Sequence, residues 1–128
     1  MTLAHAVNLP QPRRRVVVLA ADEMVRDALA CWLGADGADV QVAANGSEAA
    51  MLLDQGGTDA LVTDRTYPAW TGLGTMQSVK QRFPGIRVVV AGARADDPFV
   101  ALARSVGADA VIPSPLRKAE VIRSLVGR

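Results

Sequence analysis

The residue in this sequence that is best placed for chemistry is Asp64. It follows a short apolar, β-prone run at residues 60–63 and precedes a loop marked by Pro68 and Gly72. A helical pattern resumes at Leu73. Open α/β sheets place their reactive groups at the carboxyl ends of strands, beside such loops. We therefore treat Asp64 as the residue around which a site would be built.

The composition excludes several classes of function. One cysteine, Cys31, permits no internal disulfide, and one cysteine with one histidine makes a zinc site implausible. The net charge of +1 does not indicate a bulk nucleic-acid binder, and the few aromatic residues form no base-stacking platform. No apolar run approaches the ~20 residues of a membrane span, and no signal peptide is evident. We expect a cytoplasmic protein that binds neither nucleic acid nor membrane through this domain.

Apolar runs alternate with helical patterns along the chain. Residues 1–12 show no periodicity and predict a flexible tail, followed by one domain at residues 13–128. Asp22 is expected to cap the first helix and Ser47 the second. A fourth helix is predicted to begin after Asp97. The predicted strands are residues 16–20, 39–43, 60–63, 86–91 and 109–112.

This alternation of strand and helix, repeated five times, predicts an α/β fold. Connections of this length imply a parallel sheet that helices cover on both faces through right-handed crossovers. Continuous apolar strands fit such a sheet, because each strand is buried on both sides.

Several local motifs, in this order and spacing, resemble one family. An aspartate ends the third strand, with proline four residues later and glycine eight residues later. The stretches 22–26 (DEMVR), 45–49 (NGSEA) and 107–109 (GAD), the last with Pro115 after the next strand, add to the pattern. The sequence resembles the receiver domain of two-component response regulators over about residues 14–126. The resemblance implies a flavodoxin-like three-layer sandwich of (βα)5 type with strand order 2-1-3-4-5.

In this family a histidine kinase supplies a phosphoryl group to the aspartate that Asp64 matches. The family binds Mg²⁺ through that aspartate, an acidic pair after the first strand, and a backbone carbonyl that would belong here to Thr66. The acidic pair falls on Ala20 and Ala21, whose methyl groups cannot ligate Mg²⁺. Asp22 is one residue too late and is interpreted as a helix cap. We therefore expect no metal or other cofactor.

The remaining positions of the family's site also depart from its pattern. The switch hydroxyl falls on Gly92, the aromatic switch on Val111, and the conserved-type lysine on Ser114. Pro115 stands where the family has a cis peptide bond, so a cis Ser114–Pro115 bond is predicted. The resemblance is therefore to an atypical, or pseudo-, receiver.

Two alternatives stay open for residues near Asp64. Arg65 or Arg94 would supply the missing cation by pairing with Asp64, or Arg65 would point to solvent. Tyr67 and Trp70 would form a contact surface, or Trp70 would close the core end of the third helix.

The leading interpretation is a non-enzymatic module of phosphorelay signal transduction that acts without phosphorylation. Its contacts would be with protein partners, such as a histidine kinase or an output domain, or with a second copy of the chain. Contacts with a protein partner would use the face of the fourth helix, fifth strand and final helix; the alternative is homodimerisation. One alternative is a slow or unconventional phosphoacceptor at Asp64. Another is a small-molecule sensor, because Ala20, Ala21 and Gly92 would leave an emptier and more apolar pocket.

Overall fold

The computed structural model describes residues 13–64, 76–93, 104 and 107–125. The predicted tail and most of the predicted fourth helix lie outside these residues. The strands are β1 (Arg15–Leu19), β2 (Asp39–Ala43), β3 (Ala60–Asp64), β4 (Arg87–Ala93) and β5 (Ala110–Pro113). The helices are α1 (Glu23–Ala35), α2 (Gly46–Asp54), α3 (Met76–Arg82) and α4 (Lys118–Ser124).

The five strands form one parallel sheet in the order β2-β1-β3-β4-β5. This confirms the predicted topology. Because all strands run the same way, their carboxyl ends meet at one end of the sheet. The β3 strand lies in the middle, between β1 and β4, so its last residue, Asp64, is at the centre of that end.

Each face of the sheet carries its own apolar cluster, because successive strand residues point to opposite faces. Leu19 and Leu61 belong to the cluster with α2 and α3, and Val18 and Val62 to the cluster with α1 and α4. All four of these side chains are 0 % exposed. Full burial of one such side chain stabilises the fold by about 1.5–3 kcal/mol. Trp32 is partly buried against the second cluster.

The prediction that Ser47 caps the second helix is wrong. Asn45 is the N-cap: its backbone is extended, and its side-chain oxygen accepts a hydrogen bond from Glu48 N at 2.9 Å. In return, Glu48 Oε1 accepts a hydrogen bond from Ala44 N at 2.7 Å. The two bonds satisfy amide groups at the start of the helix, much as in a capping box.

Several strand boundaries differ from the predictions by one or two residues. The β1 strand begins at Arg15, β3 extends to Asp64, and β4 runs to Ala93 because it continues through Gly92. The reason is that ladder pairing, rather than side-chain polarity, ends a strand: Asp64 is polar yet still pairs with Ala91 of β4. Within the described part of the chain, no helix is long and apolar enough to cross a membrane.

Candidate functional site

Asp64 is the last residue of the central strand, and it is nearly buried. It pairs with Ala91 across the ladder and is 8 % exposed. The Thr63 hydroxyl donates to the backbone carbonyl of Asp64 at 3.1 Å. Asp64 also makes a further interaction beyond this bond, so it is not without a partner. The structure therefore places this carboxylate at the carboxyl end of β3, where the sequence predicts it.

Ala20 lies beside Asp64 on the neighbouring strand end. Both residues directly follow the last pair of the β1–β3 ladder, Leu19 with Thr63. Ala20 is 0 % exposed, and its N–H donates to Ala43 O at 3.2 Å. A buried methyl group thus occupies a position next to the carboxylate, where the family has an acid. Ala21, the second position of the pair, is exposed.

The carboxylate of Asp22 is used by the first helix. Its Oδ1 accepts hydrogen bonds from Met24 N at 2.8 Å and Val25 N at 3.1 Å. These bonds satisfy two of the amide groups that have no partner within a helix, and the negative charge suits the positive end of the helix dipole. The prediction that Asp22 is a cap is confirmed.

Arg26 lies near the same end of β1, and the sequence analysis missed its role. Its Nη1 donates to the backbone carbonyl of Ala20 at 3.1 Å in a partly buried setting. The only sequence signal is its place one helical turn after the N-cap Asp22, which puts the side chain on the turn nearest the strand end. The positive charge of Arg26 therefore lies close to the carboxyl end of β1, where the family has its acidic pair.

Gly92, where the family's switch hydroxyl would fall, has an unusual backbone conformation. Its φ is +92°, and the pairing of β4 with β5 shifts register between Ala91 and Ala93. A residue with a Cβ rarely adopts this conformation, although a Cβ built there would meet no atom within 4 Å. The irregular β4 end is a bulge of the kind found near functional sites. The missing hydroxyl is therefore accompanied by a backbone that disfavours threonine or serine.

The remaining described positions lie on or just after β5. Val111 is partly buried against the α2–α3 cluster, and Ser114 is exposed. The Ser114–Pro115 peptide bond is cis, as the sequence predicts. Thr66, Arg65, Arg94, Tyr67 and Trp70 lie outside the described residues, so their assigned roles stay predictions.

The described residues at this end do not fit a Mg²⁺ site. Mg²⁺ prefers oxygen ligands in octahedral geometry. Of the positions near Asp64, Ala20 offers a methyl group, its carbonyl accepts from Arg26, and the Asp22 carboxylate caps a helix. Within the described ranges, no group of three or more His, Cys, Asp or Glu residues could hold a metal ion.

A family model for the response regulator receiver domain matches residues 16–126. The chain belongs to this family. The regulator of RpoS from Escherichia coli (strain K12) is 24 % identical over 117 residues, which cover 91 % of this chain and 35 % of that protein. A response regulator receiver protein from Anaeromyxobacter sp. (strain Fw109-5) is 31 % identical over 103 residues, which cover 80 % of this chain and 43 % of that protein. This chain thus spans less than half the length of these two relatives.

Solved structures of other receiver domains have the same fold. The chemotaxis protein CheY4 of Vibrio cholerae matches with a TM-score of 0.77 at 16 % identity, over 89 % of this chain and 97 % of that chain. This likeness confirms the flavodoxin-like fold that the sequence predicts. Receiver domains of this kind are signalling modules of two-component systems.

At the opposite end of its sheet, this receiver domain carries a partly buried ion pair. Lys80 Nζ donates to Asp109 Oδ2 at 2.8 Å and to Ile86 O at 2.9 Å, and Val88 N donates to Asp109 Oδ2 at 2.8 Å. Burial raises the pKa of Asp109, but the hydrogen bonds from Lys80 and Val88 N, with the charges of Lys80 and Arg87, outweigh it. The pKa of Asp109 therefore lies below its usual range.

A groove of about 380 Å³ runs along β5 and α4 of the receiver domain. Its walls combine apolar strand residues such as Val111 with charged residues of both signs, among them Arg104, Glu120 and Arg123. Arg87 Nε donates to the carbonyl of Ser124 and so ties the end of α4 to β4. Asp64, Ala20 and Gly92 do not line this groove, so the hypothesis of a small-molecule pocket around Asp64 stays a prediction.

Proposed function

We propose that this receiver domain acts through protein–protein contact that does not depend on phosphorylation of Asp64. The observation that carries the proposal is the arrangement at the end of β1. There a buried methyl group of Ala20 stands beside Asp64, and the nearest acid, Asp22, holds two backbone amides of α1. A phosphoacceptor needs neutralising charge at this place, and the described residues offer no carboxylate pair that could bind a metal there.

The energetics of phosphoryl transfer support this proposal. The acceptor carboxylate and the incoming phosphoryl group are both anionic, and at about 4 Å they repel by roughly 4 kcal/mol at an effective dielectric of 20. Preorganised positive groups and donors offset this cost, and removal of one such group slows a reaction by about 10²–10³-fold. Gly92 and Ser114 remove a hydroxyl and a cation in addition to the acidic pair. The losses are not strictly additive, but together they leave little transfer.

The contact surface in this proposal is the groove along β5 and α4. It has apolar surface for burial and charges of both signs, Arg104, Glu120 and Arg123, for selecting a partner. The partner would be a histidine kinase, an output domain or a second copy of this chain. The domain would turn over no substrate, and a reducing cytoplasm suits its exposed thiol at Cys31.

Intact-mass measurement after incubation with acetyl phosphate and Mg²⁺ tests the proposal. The wild-type chain should gain no phosphoryl mass under conditions that label a receiver domain with a complete acidic pair, run in parallel. Asp64→Asn serves as the matched control and should likewise gain no phosphoryl mass.

A slow phosphoacceptor is the second candidate, because Asp64 lies at the end of the central strand between β1 and β4. It predicts a time-dependent gain of one phosphoryl group in the wild type and none in Asp64→Asn. That result would overturn phosphorylation-independent action and identify Asp64 as a working acceptor.

A further inference from the structure

The β2 strand is an edge of the sheet, and half of its backbone groups face outward. Asp39 N donates to Arg14 O at 2.8 Å, and Ala43 O accepts from Ala20 N at 3.2 Å. Since the N–H and C=O of one strand residue point to the same side, these bonds turn alternate residues toward β1. The intervening residues, Val40 and Val42, therefore direct their backbone groups away from the sheet. Among the described residues, no strand pairs with this side of β2.

Beside the carboxyl end of this strand lies a groove of about 520 Å³. Val42, Met51 and Leu52 give it an apolar surface. Val42 is 49 % exposed and Met51 is 68 % exposed, so the groove presents apolar surface to solvent. The groove is open to solvent rather than enclosed, so an extended segment fits it better than an enclosed small molecule does.

Arg26 also lines this groove, and most of its hydrogen-bonding capacity is unused. A guanidinium has five N–H donors, and one of them reaches the Ala20 carbonyl at 3.1 Å. Among the ion pairs of the described residues, none involves Arg26. Glu48, the acid at the groove, has one carboxylate oxygen bonded to Ala44 N and projects from α2, which packs on the opposite face of the sheet from α1.

We propose that the β2 edge binds an extended, acidic–apolar segment of a partner protein as an added strand. Its backbone would pair with the outward groups of Val40 and Val42. An apolar side chain would contact Val42, and an Asp or Glu side chain on the same face of the added strand would bind the Arg26 guanidinium, which suits a carboxylate geometrically. The residues that line this edge are separate from the β5–α4 groove, so the inference does not rest on the proposed function.

The charge of Arg26 favours a partner segment over two other possible occupants of this edge, residues 1–12 and a second copy of the chain. Residues 1–12 of the chain itself contain apolar side chains but no Asp or Glu, so they offer nothing to Arg26. A second copy would present its own β2, whose acid Asp39 lies 3.7 Å from Arg15 of its own chain. A separate segment with a carboxylate two residues from an apolar side chain matches both features at once, because residues i and i+2 of a strand share a face.

Selection from a phage-displayed library of random peptides, panned on the folded domain, tests this inference. The enriched peptides should carry an Asp or Glu two residues from an apolar residue and should protect the amides of Val40 and Val42 from hydrogen exchange. Their affinity should fall about tenfold or more with Arg26→Gln, which keeps donor groups but removes the charge, and with Val42→Lys. Lys118→Gln, which removes a charge from the exposed start of α4 and lines neither groove, is the matched control and should leave the affinity unchanged.

Several outcomes would contradict binding of an acidic segment at the β2 edge. Failure to enrich any peptide, enrichment without acidic residues, or affinity that Arg26→Gln leaves unchanged would overturn the proposal. Concentration-dependent dimerisation that Val42→Lys abolishes would assign the edge to a second copy instead. Circular dichroism and thermal unfolding of each variant establish that the binding losses do not come from unfolding.

Discussion

At the end of the sheet where the strands begin, charged side chains bond to one another and to the backbone. Arg15 Nη1 donates to Gly56 O at 3.1 Å, Arg15 N donates to Asp59 Oδ2 at 2.9 Å, and Asp109 holds both Lys80 and Val88 N. At the end where the strands finish, Asp64 has Ala20 beside it, and Gly92 stands at the position of the family's hydroxyl.

The difference separates two tasks that polar residues perform in a receiver fold. Groups at the amino ends of the strands satisfy backbone amides and carbonyls, and their loss would cost stability. At the carboxyl ends, Asp22 and Arg26 also bond backbone groups. The positions that serve phosphoryl chemistry in the family hold Ala20, Gly92 and Ser114, and a chain that signals without that chemistry can lose the family's side chains there without unfolding. We therefore propose that this domain keeps the charged groups that stabilise its fold and has lost those that the family uses for phosphoryl transfer.

The largest expected effect comes from Gly92→Thr, which restores the family's hydroxyl at the carboxyl end. Threonine at a φ of +92° is strained, so we expect a loss of about 1–3 kcal/mol in the free energy of unfolding. Gly34→Ala is the matched control, because Gly34 lies within α1 with open space around it, and it should stabilise by up to about 1 kcal/mol. Urea denaturation of both variants measures whether the free energy of unfolding falls in Gly92→Thr and rises in Gly34→Ala. A stable Gly92→Thr variant would show that the backbone there adapts freely.

At the amino end, Asp109→Ala should cost about 1–2 kcal/mol of unfolding free energy. It removes the acceptor for Lys80 and for Val88 N, and the partial exposure of the pair limits the loss. Asp27→Ala, on the exposed side of α1, should change stability by less than about 0.5 kcal/mol. Equal effects of the two substitutions would contradict the stabilising role that we assign to the amino end.

The surroundings of Gly92 and Asp109 illustrate what the sequence can and cannot predict. Topology was predictable because five apolar runs alternate with helical periods, and the position of Asp64 followed from the end of one run. The φ of Gly92 depends on a register shift between β4 and β5, which no local pattern reveals. Lys80 and Asp109 are 29 residues apart in the chain, so only the folded sheet brings them together.

Two further differences between the structure and the sequence analysis concern the N-cap of α2 and the role of Arg26. Asn45 and Ser47 are both good N-caps, and the choice depended on which backbone is extended. Glu48, three residues after Asn45, is the sequence signal that favours Asn45. Arg26 reaches back six residues to a carbonyl; its place one turn after Asp22 puts it near the strand end, but the many rotamers of a long side chain leave its partner undetermined in the sequence.

The smallest expected effect is on the pH dependence of stability. The pKa of Asp109 is lower in the folded state than its unfolded value of about 3.9. The contribution of the ionised Asp109 side chain to the free energy of unfolding is therefore present above about pH 4 and is lost as the pH falls through the folded pKa. Because the pair is partly exposed, we expect less than about 1 kcal/mol. The stability difference between wild type and Asp109→Asn, measured by urea denaturation, should shrink from pH 6 to pH 3; a constant difference would contradict the assignment.

A titration with Mg²⁺, followed through the amide ¹H–¹⁵N spectrum, tests most directly whether the carboxyl end has lost its chemistry. Asp64→Asn is the control, because it removes the one carboxylate that the described residues place at the centre of that end. We predict no saturable shift of the Ala20 or Asp64 amide, and the same response in wild type and variant. A saturable shift in the wild type that Asp64→Asn abolishes would show a working metal site and contradict the account.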